Sequence, residues 1–420
     1  MNTAQNKFEI SVRSEIGELE GVILHTPGLE IENMTPMNVE RALYSDILNL
    51  SVASLEYQQL EMVLNKITSV FQVKNLLERT LQNSKVKQSL IENICRNEAA
   101  EEIKDQLLEM AEKDLARCLV EGVLLKKNNL SRFLSKERYS LRPLHNFFYT
   151  RDSAIAINDW VLISQMANKV RAREAMIMEA IFDFHPMFAT KTVGIGNQQL
   201  FAGARIEGGD VLVARNDVLL IGIGARTNPQ AVDFLIDHFC KKRASQHIIV
   251  QELPQKPESF IHLDMVFTLL DRDTCMIYEP VILQPNMFRT VHIAIENGEV
   301  TRIDEKQNLL TALENLGMEL APISCGGKSD PWMQEREQWH SGANFFAIAP
   351  GKIIGYRRNI NTIEELDRKG FAIIEATDVA EDKTDLSSYG KCVITIDGSE
   401  LARGGGGCRC MTMPIRRKNL

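Results

Sequence analysis

The chain has 420 residues, 44% hydrophobic and 25% charged, which excludes a largely disordered protein and at roughly 150 residues per domain suggests two or three domains. Lys plus Arg at 48 against Asp plus Glu at 56 gives a net charge of −8, which argues against nucleic acid or an anionic membrane as partner and leaves small cationic ligands open. No secretory signal and no run of about 18 apolar residues is visible, so a cytoplasmic protein with no membrane partner is expected.

The first segment, IGELEGVILHTPG from Ile16, reads as part of an α/β unit. Between Met37 and Arg142 there is no proline and only one glycine, Gly122, so that block is compatible with continuous helix. Leu60, Val63, Leu64 and Ile67 follow the i, i+3, i+4, i+7 spacing of one helical face, and Ile103, Leu107, Met110 and Ala111 do so again. The remainder reads as strands alternating with helices, for instance the apolar run Val218–Ile223 followed by a helical stretch over residues 230–242. The expected organisation is an α/β domain of residues 1–36 and 141–420 with a helical insertion of residues 37–140.

Four segments share one plan, in which a polar residue precedes a strand, a turn follows and an apolar strand returns. They are RDSAIAINDWVLIS from Arg151, GGDVLVARNDVLLIGI from Gly208, LDMVFTLLDRDTCMIY from Leu263 and GANFFAIAPGKIIGY from Gly342. Asn-Asp and Pro-Gly at three of the turns favour hairpins. The alignment makes Asp152, Asp210, Asp264 and Asn344 equivalent, and with the N-terminal segment about five units would close a ring. Polar residues at the strand starts, Glu207 and His262 among them, then converge on one cleft. In HLDMVFT, alternation places His262 and Asp264 on the same face of a strand.

Eight cysteines, Cys95, Cys118, Cys240, Cys275, Cys325, Cys392, Cys408 and Cys410, show no disulfide framework. Cys408 and Cys410 stand apart because four glycines, Gly404 to Gly407, precede them. Metal binding lacks a second Cys/His pair of matching spacing, a disulfide across one residue is strained, and inert packing or a nucleophilic thiol remain open. His262 is a candidate base for such a thiol. Asp152, Glu207 and Asp264 suit a planar guanidinium, whose fork of N–H donors carboxylates accept bidentately.

At these residues the chain resembles the arginine deiminase family. The matching segments are SEIGELEGVILHTPG from Ser14, NFFYTRD from Asn146, RARE from Arg171, RIEGGDV from Arg205, GARTNPQA from Gly224, HLDMVFT from His262, REQWHSGANFFAIAPG from Arg336, GYRRN from Gly355 and ARGGGGCRCMTMP from Ala402. The resemblance implies an α/β pseudo-fivefold ββαβ propeller with an inserted α-helical bundle. It also implies hydrolysis of L-arginine to L-citrulline and ammonia, with water as co-substrate and no metal or organic cofactor, by a homo-oligomer (dimer or higher). Residue by residue, it makes Cys410 the nucleophile, His262 the acid/base, Glu207 its partner, and Asp152 and Asp264 the guanidinium ligands. Arg171 and Arg226 match contacts to the substrate carboxylate, Asn146 lies near the α-amino end, and Arg403 lies in the mobile cysteine loop. Alternatives are another guanidino substrate such as agmatine or a methylated arginine, amidino transfer to an amine, and a non-catalytic arginine-binding protein.

Overall fold

The computed structural model describes residues 7–188, 190–196, 199–283 and 285–420. The four sequence repeats are four antiparallel hairpins: Ala154–Ile157 with Trp160–Ile163, Val211–Arg215 with Val218–Ile223, Phe267–Leu269 with Thr274–Ile277, and Phe346–Ala349 with Lys352–Tyr356. At two of the turns the residue explains the reversal, since Asn158 adopts φ 53° and Gly351 φ 72°, conformations that asparagine and glycine tolerate best.

Each hairpin then acquires a third strand, parallel to its second, after a helical crossover. Lys191–Val193 follows helix Ala172–Phe184, Gln246–Glu252 follows Pro229–Lys241, Ala321–Ser324 follows Leu309–Glu314, and Cys392–Ile396 follows Ile360–Arg368. A fifth set joins the two ends of the chain: Leu19–Leu24 pairs antiparallel with Met413–Arg417 and parallel with Ser69–Gln72, across helix Leu50–Ile67. The hairpin strands are largely apolar because they are buried along most of their length, whereas strand Glu299–Lys306 at the edge of its sheet is polar and exposed. Ile155, Leu162, Leu219, Ile221 and Ile248 are all at most 1% exposed, and burial of each such side chain is worth about 1.5–3 kcal/mol.

The glycine-poor block is only partly helical. Helix Leu50–Ile67 forms as its periodicity predicts, capped by the Asn49 side chain, which accepts from Ser51 N at 3.0 Å, and it buries Leu60, Val63 and Leu64. Ser69–Gln72 is instead a strand, because pairing with Leu19–Leu24 satisfies its backbone. The second predicted face also breaks. Ile103 ends a 3₁₀ turn, Leu107 lies in helix Lys104–Glu109, and Met110 and Ala111 fall in the extended link before helix Glu112–Glu121. Short strands Val123–Leu124 and Tyr139–Leu141 pair where the block ends. Among the described residues no helix is long and apolar enough to cross a membrane.

Candidate active site

Five strand starts carry the polar residues. Asp152 stands two residues before Ala154–Ile157, Asp210 one before Val211–Arg215, Asp264 three before Phe267–Leu269, Asn344 two before Phe346–Ala349 and Cys410 three before Met413–Arg417. His262 and Asp264 do not lie on a strand as alternation suggests. Leu263–Met265 is a 3₁₀ turn entered from an extended His262, and the Leu263 N–H is taken by Asp210 Oδ1 at 2.9 Å. Gly208–Asp210 makes the corresponding turn after Glu207. Tight turns let the residue before the turn and one inside it both face the centre.

The structure brings five of the predicted residues together, all buried. His262 Nε2 and Glu207 Oε2 are 2.9 Å apart, and His262 Nδ1 lies 3.7 Å from Asp152 Oδ1. Cys410 Sγ is 3.8 Å from Asp264 Oδ2 and 4.0 Å from its Oδ1. Gly209 has to be glycine for this packing, since a Cβ there would come within 2.4 Å of His262 Nδ1.

Asp152 and Asp264 each have one oxygen committed to an arginine of the chain. Asp152 Oδ2 accepts from Arg171 Nη1 at 2.6 Å, and Asp264 Oδ2 accepts from Arg409 Nη1 at 2.7 Å. The other oxygen of each remains for a ligand: Asp152 Oδ1 has no hydrogen-bond partner, and Asp264 Oδ1 has only the thiol. Both arginines are fixed from behind by a second carboxylate. Arg171 donates to Glu174 through Nε and Nη2, and Arg409 donates to Glu15 through Nε and Nη2, both at 3.0 Å. Bidentate pairs of this kind hold the arginines in one orientation.

The remaining predicted residues are more dispersed. Arg226 Nη1 lies 3.6 Å from Glu207 Oε1, and Arg226 shares with Arg403, Trp339 and Gly404 the wall of a cavity of about 70 Å³. Arg403 itself points outward, paired with Asp46 and Glu400. Asn146 turns its side-chain amide to Ala42 O at 2.7 Å, and its own carbonyl accepts from Arg171. Sequence reasoning missed Glu15, Glu174 and Arg409 as the groups that orient the aspartates, and the part of Asn344. The Asn344 side-chain oxygen accepts from Arg409 N at 2.9 Å and Cys410 N at 3.1 Å, while its amide donates to Asp264 O. Glu174 was within reach, three residues after Arg171 on a helical turn; Glu15 left no local signal.

The electrostatics follow from burial and neighbours. Burial disfavours a charged imidazole, but Asp152, the hydrogen bond to Glu207 and Asp210 outweigh it and raise the His262 pKa to about 9. Glu207 is correspondingly held well below the carboxylate range against its burial by His262 and Arg226. Burial, reinforced by Asp264 and Asp152, pushes the Cys410 thiol well above its ordinary value. A cation placed between the two aspartates would reverse that effect on the thiol. Asp152, Glu207 and His262 offer ligand atoms within 4.8 Å of one another and are, among the described residues, the one set that could hold a metal.

The imidazole shift has a consequence for stability. Its pKa is higher in the folded chain than the unfolded 6.5, so protonated His262 stabilises the fold fully below about pH 6.5, and that contribution fades as pH rises through about 9. The loss is on the order of 3 kcal/mol. Chemical denaturation across this window is expected to show a steeper decline for the wild type than for His262→Gln, and equal slopes would contradict the ion-pair description.

The family model for arginine deiminase matches residues 40–417. The chain belongs to the arginine deiminase family. An arginine deiminase of Bacillus cereus (strain B4264) is 33% identical over 438 residues, covering 99% of this chain and 100% of that protein. One of Bacillus cytotoxicus is 33% identical over 436 residues, with the same coverage. Among solved structures, the amidinotransferase SxtG from Microseira wollei covers 98% of both chains with TM-score 0.54 and 11% identity. The product-bound N-terminal domain of ArgZ, a cyanobacterial arginine dihydrolase, covers 94% of this chain and 97% of its own with TM-score 0.51 and 12% identity. At those identities the structural likeness shows the fold, an α/β architecture with mixed sheets.

Proposed function

We propose that the chain is an arginine deiminase that hydrolyses L-arginine to L-citrulline and ammonia through a covalent intermediate on Cys410. The observation that carries this is the convergence of one thiol, one imidazole–carboxylate pair and, from each of Asp152 and Asp264, one oxygen that no arginine of the chain holds. Those two oxygens hold the guanidinium nitrogens, and the substrate's positive charge lowers the cost of the Cys410 thiolate. The thiol proton is released to water as the cationic substrate binds, and the thiolate sulfur attacks the guanidinium carbon. Protonated His262 gives its proton to the departing nitrogen, and ammonia leaves an S-alkylthiouronium. His262, now neutral and held by Glu207, takes a proton from water as the oxygen attacks the same carbon; the C–S bond breaks and citrulline leaves. Positioning by the aspartates contributes several kcal/mol to lowering the barrier, and the acid–base steps about 10²–10⁴ in rate. This chemistry calls for no metal or organic cofactor.

Arg226 receives the substrate carboxylate in this reading, with Asn146 toward the α-amino group and Arg403 on the covering loop; Arg171, matched to the same contact, is already taken by Asp152, Glu174 and the Asn146 carbonyl and serves to orient Asp152. The cavity shared by Arg226 and Arg403 supports such an entrance. Arg226→Ala is expected to raise KM for L-arginine about 10–100-fold while changing the weak activity on agmatine, which has no carboxylate, by less than about threefold. Assaying ammonia and citrulline with both substrates tests the function, and equal use of agmatine would overturn the arginine assignment.

The five sheets, three of them three-stranded and two extended to four and five strands, support a pseudo-fivefold ββαβ propeller, with residues 1–36 and 141–420 as catalytic domain and residues 37–140 as insertion. Because helix Leu50–Ile67 and strand Ser69–Gln72 complete the fifth set, the inserted helices proper narrow to residues 73–121. A cytoplasmic homo-oligomer completes the proposal. It is supported by eight cysteines that are all free and by the exposed apolar side chains of Leu130, Phe133 and Leu134.

A further inference from the structure

The segment that leads to the nucleophile is gripped by helix Leu50–Ile67 and the residues just before it. Glu56, a carboxylate only 4% exposed, faces the backbone at the start of that segment. Its Oε1 accepts from Ser399 N at 2.8 Å and Glu400 N at 3.1 Å, and its Oε2 from Glu400 N at 3.0 Å and Leu401 N at 2.8 Å. These N–H groups open the 3₁₀ turn Leu401–Gly404, where helical geometry leaves them without partners and a negative charge is favoured. Three residues along the same helix, Gln59 Oε1 accepts from Asp397 N at 2.8 Å, and Gln59 Nε2 donates to Asp397 Oδ2 at 2.9 Å. The grip is returned from the other side. Glu400 Oε1 accepts from Asn49 N at 2.5 Å, and Arg403, bonded to Glu400 Oε2 at 2.9 Å, reaches Asp46.

Between this clasp and Cys410 lie four consecutive glycines, the least self-restrained backbone available. Their packing is close: a Cβ on Gly406 would come within 2.5 Å of the Tyr149 ring, and the Gly406 carbonyl accepts from Tyr356 Oη at 2.9 Å. Asn344 anchors the far end, at the N–H groups of Arg409 and Cys410. A flexible strap is placed only as well as its two ends, and at the upstream end Glu56 alone takes three successive backbone N–H groups.

We propose that Glu56 is a positioning residue for the Cys410 nucleophile, acting through the backbone N–H groups of residues 399–401. The inference rests on the reading of Cys410 as nucleophile. It gives helix Leu50–Ile67 a part in the reaction although none of its residues touches the reacting groups. Without the carboxylate the strap loses that hold at its upstream end, and sulfur spends less time in line with the guanidinium carbon.

The test compares the full chain with Glu56→Ala, Glu56→Gln and Leu107→Ala, all assayed well below their unfolding temperatures. Leu107 is buried on helix Lys104–Glu109, which packs against helix Ser84–Glu98 and the turn Glu101–Ile103, so its truncation destabilises helices away from the strap. Glu56→Ala is expected to lower kcat about 10–100-fold with KM changed less than about threefold, as a small misplacement of a reacting group does. Glu56→Gln, which keeps one accepting oxygen, is expected to recover part of that loss, and Leu107→Ala to keep kcat within about twofold despite a lowered unfolding temperature. If Glu56→Ala does not fold, Glu56→Gln decides, with an expected fall of at least about threefold in kcat. The proposal is overturned if kcat of the folded Glu56 variants stays within about twofold of wild type, or if Leu107→Ala loses as much. Cys410→Ser in the same assay separates the two levels: an active Cys410→Ser removes the nucleophile reading itself, whereas an inactive one beside unimpaired Glu56 variants removes only this inference.

Discussion

Cys410→Ser is expected to reduce ammonia release from L-arginine at least about 10⁴-fold, while Cys408→Ser keeps most of it. The two thiols are two residues apart and equally buried, but their surroundings differ. Cys410 lies against Asp264 and feels Asp152 as well, so its ionisation responds to whatever cation sits between those carboxylates. Burial alone raises the Cys408 pKa, and a guanidinium bound at the aspartates has no comparable hold on it. In the empty site the Cys410 thiol is therefore protonated at neutral pH, and slow reaction with neutral iodoacetamide is expected even in fully active protein. Loss of ammonia release in Cys408→Ser with retention in Cys410→Ser would reverse the assignment.

His262→Ala is expected to lower kcat about 10²–10⁴-fold with L-arginine still bound, as calorimetry on the variant would show. The imidazole is held at 2.9 Å by Glu207 and lies 3.7 Å from Asp152, and the pKa of about 9 keeps it protonated at neutral pH. That state suits the first half of the reaction, in which a proton must go to the leaving nitrogen. Its neutral form, available once the proton has gone, suits the second. Loss of binding in His262→Ala, with the rate per bound substrate unchanged, would make His262 a ligand and remove its acid–base role.

Much of the α/β part was legible because its signals are local. A polar start, an apolar strand, a turn and a returning apolar strand, with Asn-Asp or Pro-Gly at three of the turns, mark four hairpins, and aligning them places Asp152, Asp210, Asp264 and Asn344 at one end. Where the reading failed, the deciding interaction is distant in sequence. Ser69–Gln72 carries no glycine or proline to interrupt a helix, and it becomes a strand because Gly21 to Leu24, 48 residues away, offers it a parallel partner. The lack of breakers permits a helix without requiring one. The two-residue spacing of His262 and Asp264 suits a strand, but the 3₁₀ turn Leu263–Met265, capped by Asp210, brings them to one side equally well.

The candidate site shows the same division. Its reacting groups were named from motifs, but the supports were not, because the Arg409–Glu15 pair spans 394 residues. Asn146 is a case of geometry that motif matching does not convey. Its side chain is occupied by Ala42 O, on a stretch whose turns no periodicity announces, so any part it takes near the substrate begins with release of that bond.

The most direct test is to mix excess protein with L-arginine, quench in acid within one turnover, digest, and analyse the peptides by mass spectrometry. A transient adduct on Cys410 with the mass of arginine less ammonia is expected, appearing before citrulline and disappearing as citrulline forms. Citrulline formed in full with no adduct at any time, or an adduct on Cys408 instead, would contradict covalent catalysis by Cys410.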